Sequence, residues 1–162
     1  MALSGLLVTP AQPDDIDAVA AIAHGTFDWH RTHVPGEFLP SDLAAVRGIM
    51  ETARTAQGQF LLVAKSGADV VGFIHYYIID RPQYGALAPL RMSFVEHIAV
   101  RGDHQRQGVG HALMEALRRH LARENIADLR ANTFAANTAS AAFLVAEGFE
   151  TFSTFHRATV AS

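Results

Sequence analysis

Within six residues, Gln105-Arg106-Gln107-Gly108-Val109-Gly110, the chain collects one full positive charge, two side-chain amides and two residues without a Cβ. These are groups suited to holding an anion. The first turn of a helix leaves backbone N–H groups without partners, and the aligned peptide dipoles add partial positive charge there. A phosphate or diphosphate fits such a place, and glycine lets it approach the backbone closely. The dipole contributes only about 0.3–2 kcal/mol, so several N–H groups must act together. A turn that simply opens a core helix has the same local sequence, and these six residues alone leave both readings open. Two other phosphate loops are excluded. Gly110-His111-Ala112 lacks the Gly-Lys-Ser/Thr of a P-loop, and Leu113 stands where a dinucleotide fingerprint needs a small third residue, although Asp128 lies at a ribose-acid spacing.

Two further groups could do chemistry. Glu96 is the single charge inside the nearly unbroken apolar run of residues 92–100. A carboxylate in a buried strand is costly unless it has a partner or a task; His75, His97 and Arg91 are the available partners. Strand alternation puts His97 on the opposite face from Glu96. Residues 27–40 hold the only tryptophan, Trp29, with Phe27, His30, His33, Phe38 and two prolines. His30 and His33 lack a third ligand at metal-site spacing, so the segment reads as a packed loop with polar tips.

The elements that must position these groups follow from periodicity. Residues 91–100 form an apolar run bounded by turn residues, as in a buried central strand. Val109, Leu113, Leu117 and Leu121 then recur every four residues, which is a helix. Before this core, residues 6–9 form a strand closed by Pro10, and a helix beginning near residues 13–15 ends or weakens at Gly25. A second helix capped by Ser41 or Asp42 runs to about Ala56, with Leu43, Val46, Ile49 and Met50 as its apolar stripe. Residues 59–65 and 70–80 make a hairpin around Ser66-Gly67-Ala68-Asp69. After it, residues 128–134 read as a strand, 138–146 as a short helix ending at Gly148, and 149–160 as a last strand. The order β-α-α-β-β-β-α-β-α-β implies a mixed sheet with helices on both faces.

The central stretch resembles the GNAT superfamily of N-acetyltransferases. The family signature is Gln or Arg, two residues, Gly, one residue, then Gly or Ala, after a strand ending in an apolar residue, Ala and Val. Here it is Gln105 to Gly110 after Ile98-Ala99-Val100. A second family element follows at the right distance: residues 129–133, then Asn137, then Glu147-Gly148-Phe149. The two elements stand in the family's order, and the resemblance covers nearly the whole chain.

The resemblance implies one N-acetyltransferase domain over residues 1–162, of the α/β (α+β) class, with a mixed β-sheet splayed at its centre and flanked by helices on both faces. It implies acetyl-CoA as acetyl donor and no metal. Ile98, Ala99 and Val100 would line the pantetheine arm, residues Gln105, Arg106, Gln107, Gly108, Val109 and Gly110 the diphosphate, and Asn137 the pantetheine. Asn137 also fits a helix N-cap, and both roles can coexist. Phe27, Trp29, His30 and Phe38 would wall the acceptor. An alkylamine, with a pKa near 10.4, is short of its neutral form by about 4–5 kcal/mol at pH 7, so a general base helps, and Glu96 is the candidate. The family's usual tyrosine, seven residues after the motif Asn, is Leu144 here. Tyr76, Tyr77 or a water could protonate the thiolate instead, or it leaves unassisted. The expected function is acetylation of a small-molecule amine. Acetylation of a protein N-terminus or lysine, and a non-catalytic coenzyme-A sensor, are the alternatives. Many relatives form homodimers.

Composition sets limits on these readings. The chain has 162 residues, a net charge of −3, 49% hydrophobic and 18% charged residues, and no cysteine. Disulfides and thiolate chemistry are excluded. A nucleic-acid partner would need a basic face; Arg118-Arg119-His120 and Arg123 share their helix with Glu115 and Glu124, as on a solvated face. The first ten residues lack the charged and apolar regions of a signal peptide, and no apolar run reaches a membrane-spanning length. A cytoplasmic, membrane-free protein is the expectation.

Overall fold

The computed structural model describes residues 5–158. These fall into two compact units that divide between Asn132 and Thr133.

The first unit contains five strands in spatial order β1-β2-β3-β4-β5. β1 is Leu6–Pro10, β2 Gln59–Ser66, β3 Asp69–Arg81, β4 Leu90–Val100 and β5 Asp128–Ala131. The first four pair antiparallel, β5 runs parallel to β4, and the sheet is therefore mixed. Three helices belong to this unit: α1, Ile16–His33; α2, Leu43–Thr55; and α3, Val109–Arg123. A 3₁₀ turn at Pro13–Asp15 precedes α1, and Asp15 in it pairs with Lys65 of β2 at 2.6 Å. Asp42 caps α2 by accepting from the Ala45 N–H at 2.7 Å.

Alternation along β3 sorts the two faces. Phe73 packs with Ile16, Val19, Ala20 and Ala23 of α1 and Val46 and Met50 of α2. Gly72 and Tyr76 face α3: a Cβ on Gly72 would meet Val109 and Leu113, and the Tyr76 hydroxyl bonds His120. In α3 the expected stripe of Val109, Leu113, Leu117 and Leu121 is buried. The stripe of α2 is shifted from the expected one. Val46, Met50 and Ala53 are buried, while Leu43 and Ile49 stay half exposed.

Three sequence expectations change. α1 does not stop at Gly25 but runs to His33. An interior glycine costs about 1 kcal/mol against alanine, and the ring contacts made by Phe27 and His30 outweigh it. β5 ends at Ala131 rather than at residue 134, for a reason that lies in β4 and is described below. Residues 149–158 form no strand; a strand needs an edge to pair with, and this segment pairs with none among the described residues. Residues 159 and 160 of that expected strand lie outside the described residues.

The second unit contains α4, Thr138–Ala146. Asn137 is its N-cap, with Oδ1 accepting from the Ser140 N–H at 3.0 Å. Gly148 follows with φ +84°, the left-handed backbone that closes a helix. Among the described residues no helix is long and apolar enough to cross a membrane.

Candidate functional site

The register of β3 on β4 breaks at one point. His75 lies opposite His97, but Tyr76 lies opposite Val95. Glu96 is therefore the extra residue of a β-bulge. A bulge bends its strand and re-aims the side chains beside it. The consequence on the other edge of β4 is direct. β5 follows β4 from Met92↔Asp128 to Val95↔Ala131 and parts from it where the bulge begins. From Glu96 to Val100 no described strand pairs with that edge of β4. This is the central splay, and the bulge explains why β5 is short. A strand edge left open this way can accept an extended ligand arm through main-chain hydrogen bonds.

The bulge also overturns the expected placement of Glu96. The side chain is exposed rather than buried. Its partner is none of the three expected groups: the Tyr77 hydroxyl donates to Glu96 Oε2 at 2.7 Å. Arg91 pairs instead with Asp80 and Glu124. Nor is His97 set apart from Glu96 by strand alternation. The carboxylate's charge acts on the His97 imidazole, and that ring meets Phe27 of α1 edge-on at 5.2 Å.

Around this point the structure gathers rings. Phe27 stacks on Phe38 at 6.5 Å, His30 stacks on Phe38 at 5.0 Å, and His75 lies 5.9 Å from His97. Tyr77 lies 6.1 Å from His75 and stacks on Phe94. Helical spacing explains the selection on α1. Phe27 and His30, three apart, share one face; Trp29 and His33, four apart, share another and stack on each other at 4.2 Å. Trp29 meets the cluster at the edge of His30, at 5.2 Å. Of the four expected acceptor residues, Phe27, His30 and Phe38 are therefore brought together and Trp29 lies beside them.

Burial governs the histidines. His75 is 6% exposed, and its Nε2 donates to Gln59 Oε1 at 2.9 Å, because a carbonyl oxygen can only accept. The proton on Nε2 leaves Nδ1 with a lone pair, buried without a partner. Burial, helped by nearby His97 and opposed by Glu96, pulls this imidazole down to about 4. His97 is lowered by burial against the pull of Glu96, with His30 adding to the lowering. His30 is lowered by burial, a backbone hydrogen bond at Thr26 opposing. The Tyr77 phenol is pushed up to about 12 by burial, by its bond to Glu96 and by that group's charge.

The second part of the site begins at the end of β4. A 3₁₀ turn at Gly102–His104 leads to Gln105, and α3 opens with Gly108 as N-cap at φ +87°. Arg106 also adopts a positive φ, +58°, which is uncommon outside glycine. Two left-handed residues two positions apart make a tight turn, and turns of backbone N–H groups can form concavities that bind anions. Gly108 makes no side-chain cap to α3, and the first turn of a helix has backbone N–H groups to offer an anion. The side chains of Gln105 and Gln107 are not free donors as expected: they donate to the carbonyls of Val100 and Asp103 and brace the loop. Arg106 is exposed, and no described carboxylate pairs with it. Gly110 lies inside the first helical turn. Val109 is 1% exposed, so only its backbone is available. Ile98 and Val100 border the open edge of β4, while the Ala99 side chain packs toward the α1 core.

Sequence reasoning did not single out Gly72. A Cβ there would lie 3.0 Å from the Ala99 carbonyl oxygen and 3.0 Å from Val109 Cγ1. Its lack of a side chain lets the start of α3 press against β3 beside the end of β4. A glycine inside a strand pattern is the available signal for such an approach. A groove of about 520 Å³ lies elsewhere, on the α3 face, lined by Tyr76, His120, Arg54, Arg119 and Arg123 among others. No described cluster of three or more His, Cys, Asp or Glu is arranged to hold a metal.

The chain has counterparts among known proteins. A sequence model of the acetyltransferase (GNAT) family matches residues 23–149. The chain belongs to the GNAT acetyltransferase family. Among solved structures it is similar to the BH1408 protein of Bacillus halodurans, with a TM-score of 0.90 at 12% identity over 95% of this chain and 99% of that one. It is also similar to a ribosomal-protein-alanine N-acetyltransferase of Brucella melitensis, with a TM-score of 0.70 at 16% identity over 97% and 100% of the two chains. An aminoglycoside 6'-N-acetyltransferase of Acinetobacter haemolyticus has a TM-score of 0.71 at 17% identity over 96% and 99%. At these identities the likeness is one of fold. Among curated proteins none matches the chain in sequence. As a GNAT protein the chain is an acetyltransferase, and the family's acetyl donor is acetyl-CoA.

Proposed function

We propose that this protein transfers the acetyl group of acetyl-CoA to the amine of a small-molecule acceptor, with Glu96 as general base. The observation that carries the reading is the bulge at Glu96, which presents a carboxylate beside a wall of rings at the point where the strand edge opens. The residues fit the donor. The N–H groups opening α3 suit its diphosphate, Arg106 adds charge, and the edge from Glu96 to Val100 suits the pantetheine arm. An aminoglycoside acetyltransferase of this fold is known in complex with a bisubstrate analogue made from coenzyme A.

The donor supplies an activated acetyl thioester. The protein's residues supply the rest. Presenting a neutral amine at pH 7 costs about 4–5 kcal/mol, and Glu96 assists by accepting a proton from the attacking nitrogen, directly or through a water. Tyr77 orients that carboxylate through its hydroxyl. Phe27, His30 and Phe38 seat the acceptor, and Trp29 backs them. The N–C bond forms as the C–S bond breaks, the nitrogen's remaining excess proton passes to the sulfur directly or through Tyr77 or a water, and coenzyme A leaves as its thiol. The Tyr76 hydroxyl is bonded to His120 on the α3 face, so of the two sequence candidates for protonating the thiolate only Tyr77 lies with Glu96. Asn137 spends its side-chain oxygen on capping α4, and its NH₂ is the group that suits a pantetheine carbonyl.

Glu96→Gln tests the assignment. We expect kcat for thiol release to fall by about 10²-fold or more, with coenzyme-A affinity unchanged. Near-normal kcat across pH 6–9 would remove Glu96 from the mechanism.

A further inference from the structure

The groove on the α3 face takes no part in the chemistry described so far. Its volume, about 520 Å³, is that of a small-molecule site. It combines aromatic rings with guanidinium groups. Phe60 of β2 is half-buried in its lining, stacked on the ring of Tyr76 at 5.3 Å and meeting His120 edge-on at 4.7 Å. The Tyr76 oxygen lies 2.6 Å from His120 Nδ1. Burial raises this phenol, with Arg123 opposing, so the hydroxyl keeps its proton and donates to Nδ1. The ring proton of His120 then sits on Nε2, which is a donor. Three arginines line the same groove: Arg54 from the end of α2, and Arg119 and Arg123 from α3. Arg119 and Arg123, four apart, share one helix face. Arg54 pairs with Glu51 and Arg119 with Glu115, while no described carboxylate pairs with Arg123. No aspartate or glutamate is among the described lining residues. The carboxyl end of a helix adds partial negative charge, but only roughly half a unit against these full charges. Arginines on a helix face are ordinarily solvated; these differ in lining one concave surface together with Phe60, Tyr76 and His120.

We infer that this groove is a second ligand site, for a small organic anion with a flat apolar body, its carboxylate or phosphate on Arg119 and Arg123 and its body against Phe60. Guanidinium forks match the oxygens of either acid group, and ring faces suit a flat body. The site is separate from the one proposed for the donor. At 1.5 Å per residue, Arg119 and Arg123 stand about 15 and 21 Å along α3 from Val109. The inference does not depend on the role given to Glu96.

The test is backbone amide NMR during titration with benzoate, phenyl phosphate and the neutral benzamide, at millimolar concentrations. We expect at least one of the two anions to shift the amides of Phe60, Tyr76, His120 and Arg123, and benzamide to bind at least about tenfold more weakly. Comparison of benzoate with phenyl phosphate tells a carboxylate site from a phosphate site. Arg123→Gln and Arg119→Gln should each weaken the better anion by about fivefold or more, and Phe60→Leu by about threefold. Calorimetric titration of the two arginine variants with coenzyme A should give the parent affinity. Benzamide binding as tightly as the anions, or neither anion moving these amides, would overturn the inference. Displacement of the bound anion from these amides by coenzyme A would also overturn it, by making the groove part of the donor site.

Discussion

Replacing Gly72 by alanine puts one methyl group where β3, β4 and α3 meet. The new carbon would lie 3.0 Å from the Ala99 carbonyl oxygen, 3.0 Å from Val109 Cγ1 and 3.4 Å from Leu113 Cδ1. The two side chains can give way by small shifts; the Ala99 oxygen is backbone and moves only with its strand. Overpacking of this kind costs about 1–3 kcal/mol. The loss of glycine's freedom in the unfolded chain offsets about 0.4–1 kcal/mol. The net is a destabilisation of about 1–2 kcal/mol, or a melting temperature lower by roughly 2–8 °C. Relief of the clash displaces Ala99, beside the open edge of β4, and Val109, the first residue of α3. Both belong to the proposed donor site, so coenzyme-A affinity should fall by about three- to tenfold. Urea titration and calorimetric titration with coenzyme A read the two effects. Adding Val109→Ala, which deletes Cγ1, should recover part of the stability in a double-mutant cycle. A Gly72→Ala variant as stable as the parent with unchanged affinity would refute the claim that this glycine seats the start of α3.

Gly108→Ala forces a side chain into φ +87°, at a cost of about 1–2 kcal/mol; calorimetry should show weaker coenzyme-A binding, whereas binding at the parent affinity would show that the turn tolerates another backbone. Gly25 lies inside α1, and a Cβ added there would meet nothing within 4 Å, so Gly25→Ala should stabilise the protein by about 0.5–1 kcal/mol in urea unfolding. Stability should fall as pH drops from 6.5 toward 4. In that window the unfolded chain protonates His75 at its ordinary value while the folded protein, with this group near 4, resists, so the unfolded state binds more protons. The loss amounts to roughly 2–3 kcal/mol, and urea midpoints measured in His75→Gln should be flatter over the same range.

What the sequence made legible was local. The turn from Gln105 to Gly110, the stripe of α3 and the caps at Asp42 and Asn137 depend on residues within one or two turns of each other, and their types state the geometry. What it hid was set by partners distant in the chain. The two-residue alternation of β4 put Glu96 and His97 on opposite faces, and only the pairing of His75 and Tyr76 across the sheet reveals the bulge that breaks this alternation. Gly25 signalled a helix end, yet ring packing from Phe27 and His30 carries α1 two turns farther. Arg106 gave no sign of its positive φ, because an arginine adopts it only when the surrounding loop, braced by Gln105 and Gln107, imposes it. Gly72 looked like a weak point in a strand until α3 was seen against it.

We propose that the N–H groups at the start of α3 hold the donor's diphosphate. The most direct measurement is backbone amide NMR during titration with coenzyme A. The amides of Gly108, Val109, Gly110 and His111 should shift first and farthest, together with those along the open edge of β4 from Glu96 to Val100. Shifts confined to the arginine-lined groove on the α3 face, at Arg119 and Arg123, with the Gly108 to His111 amides unmoved, would contradict this assignment.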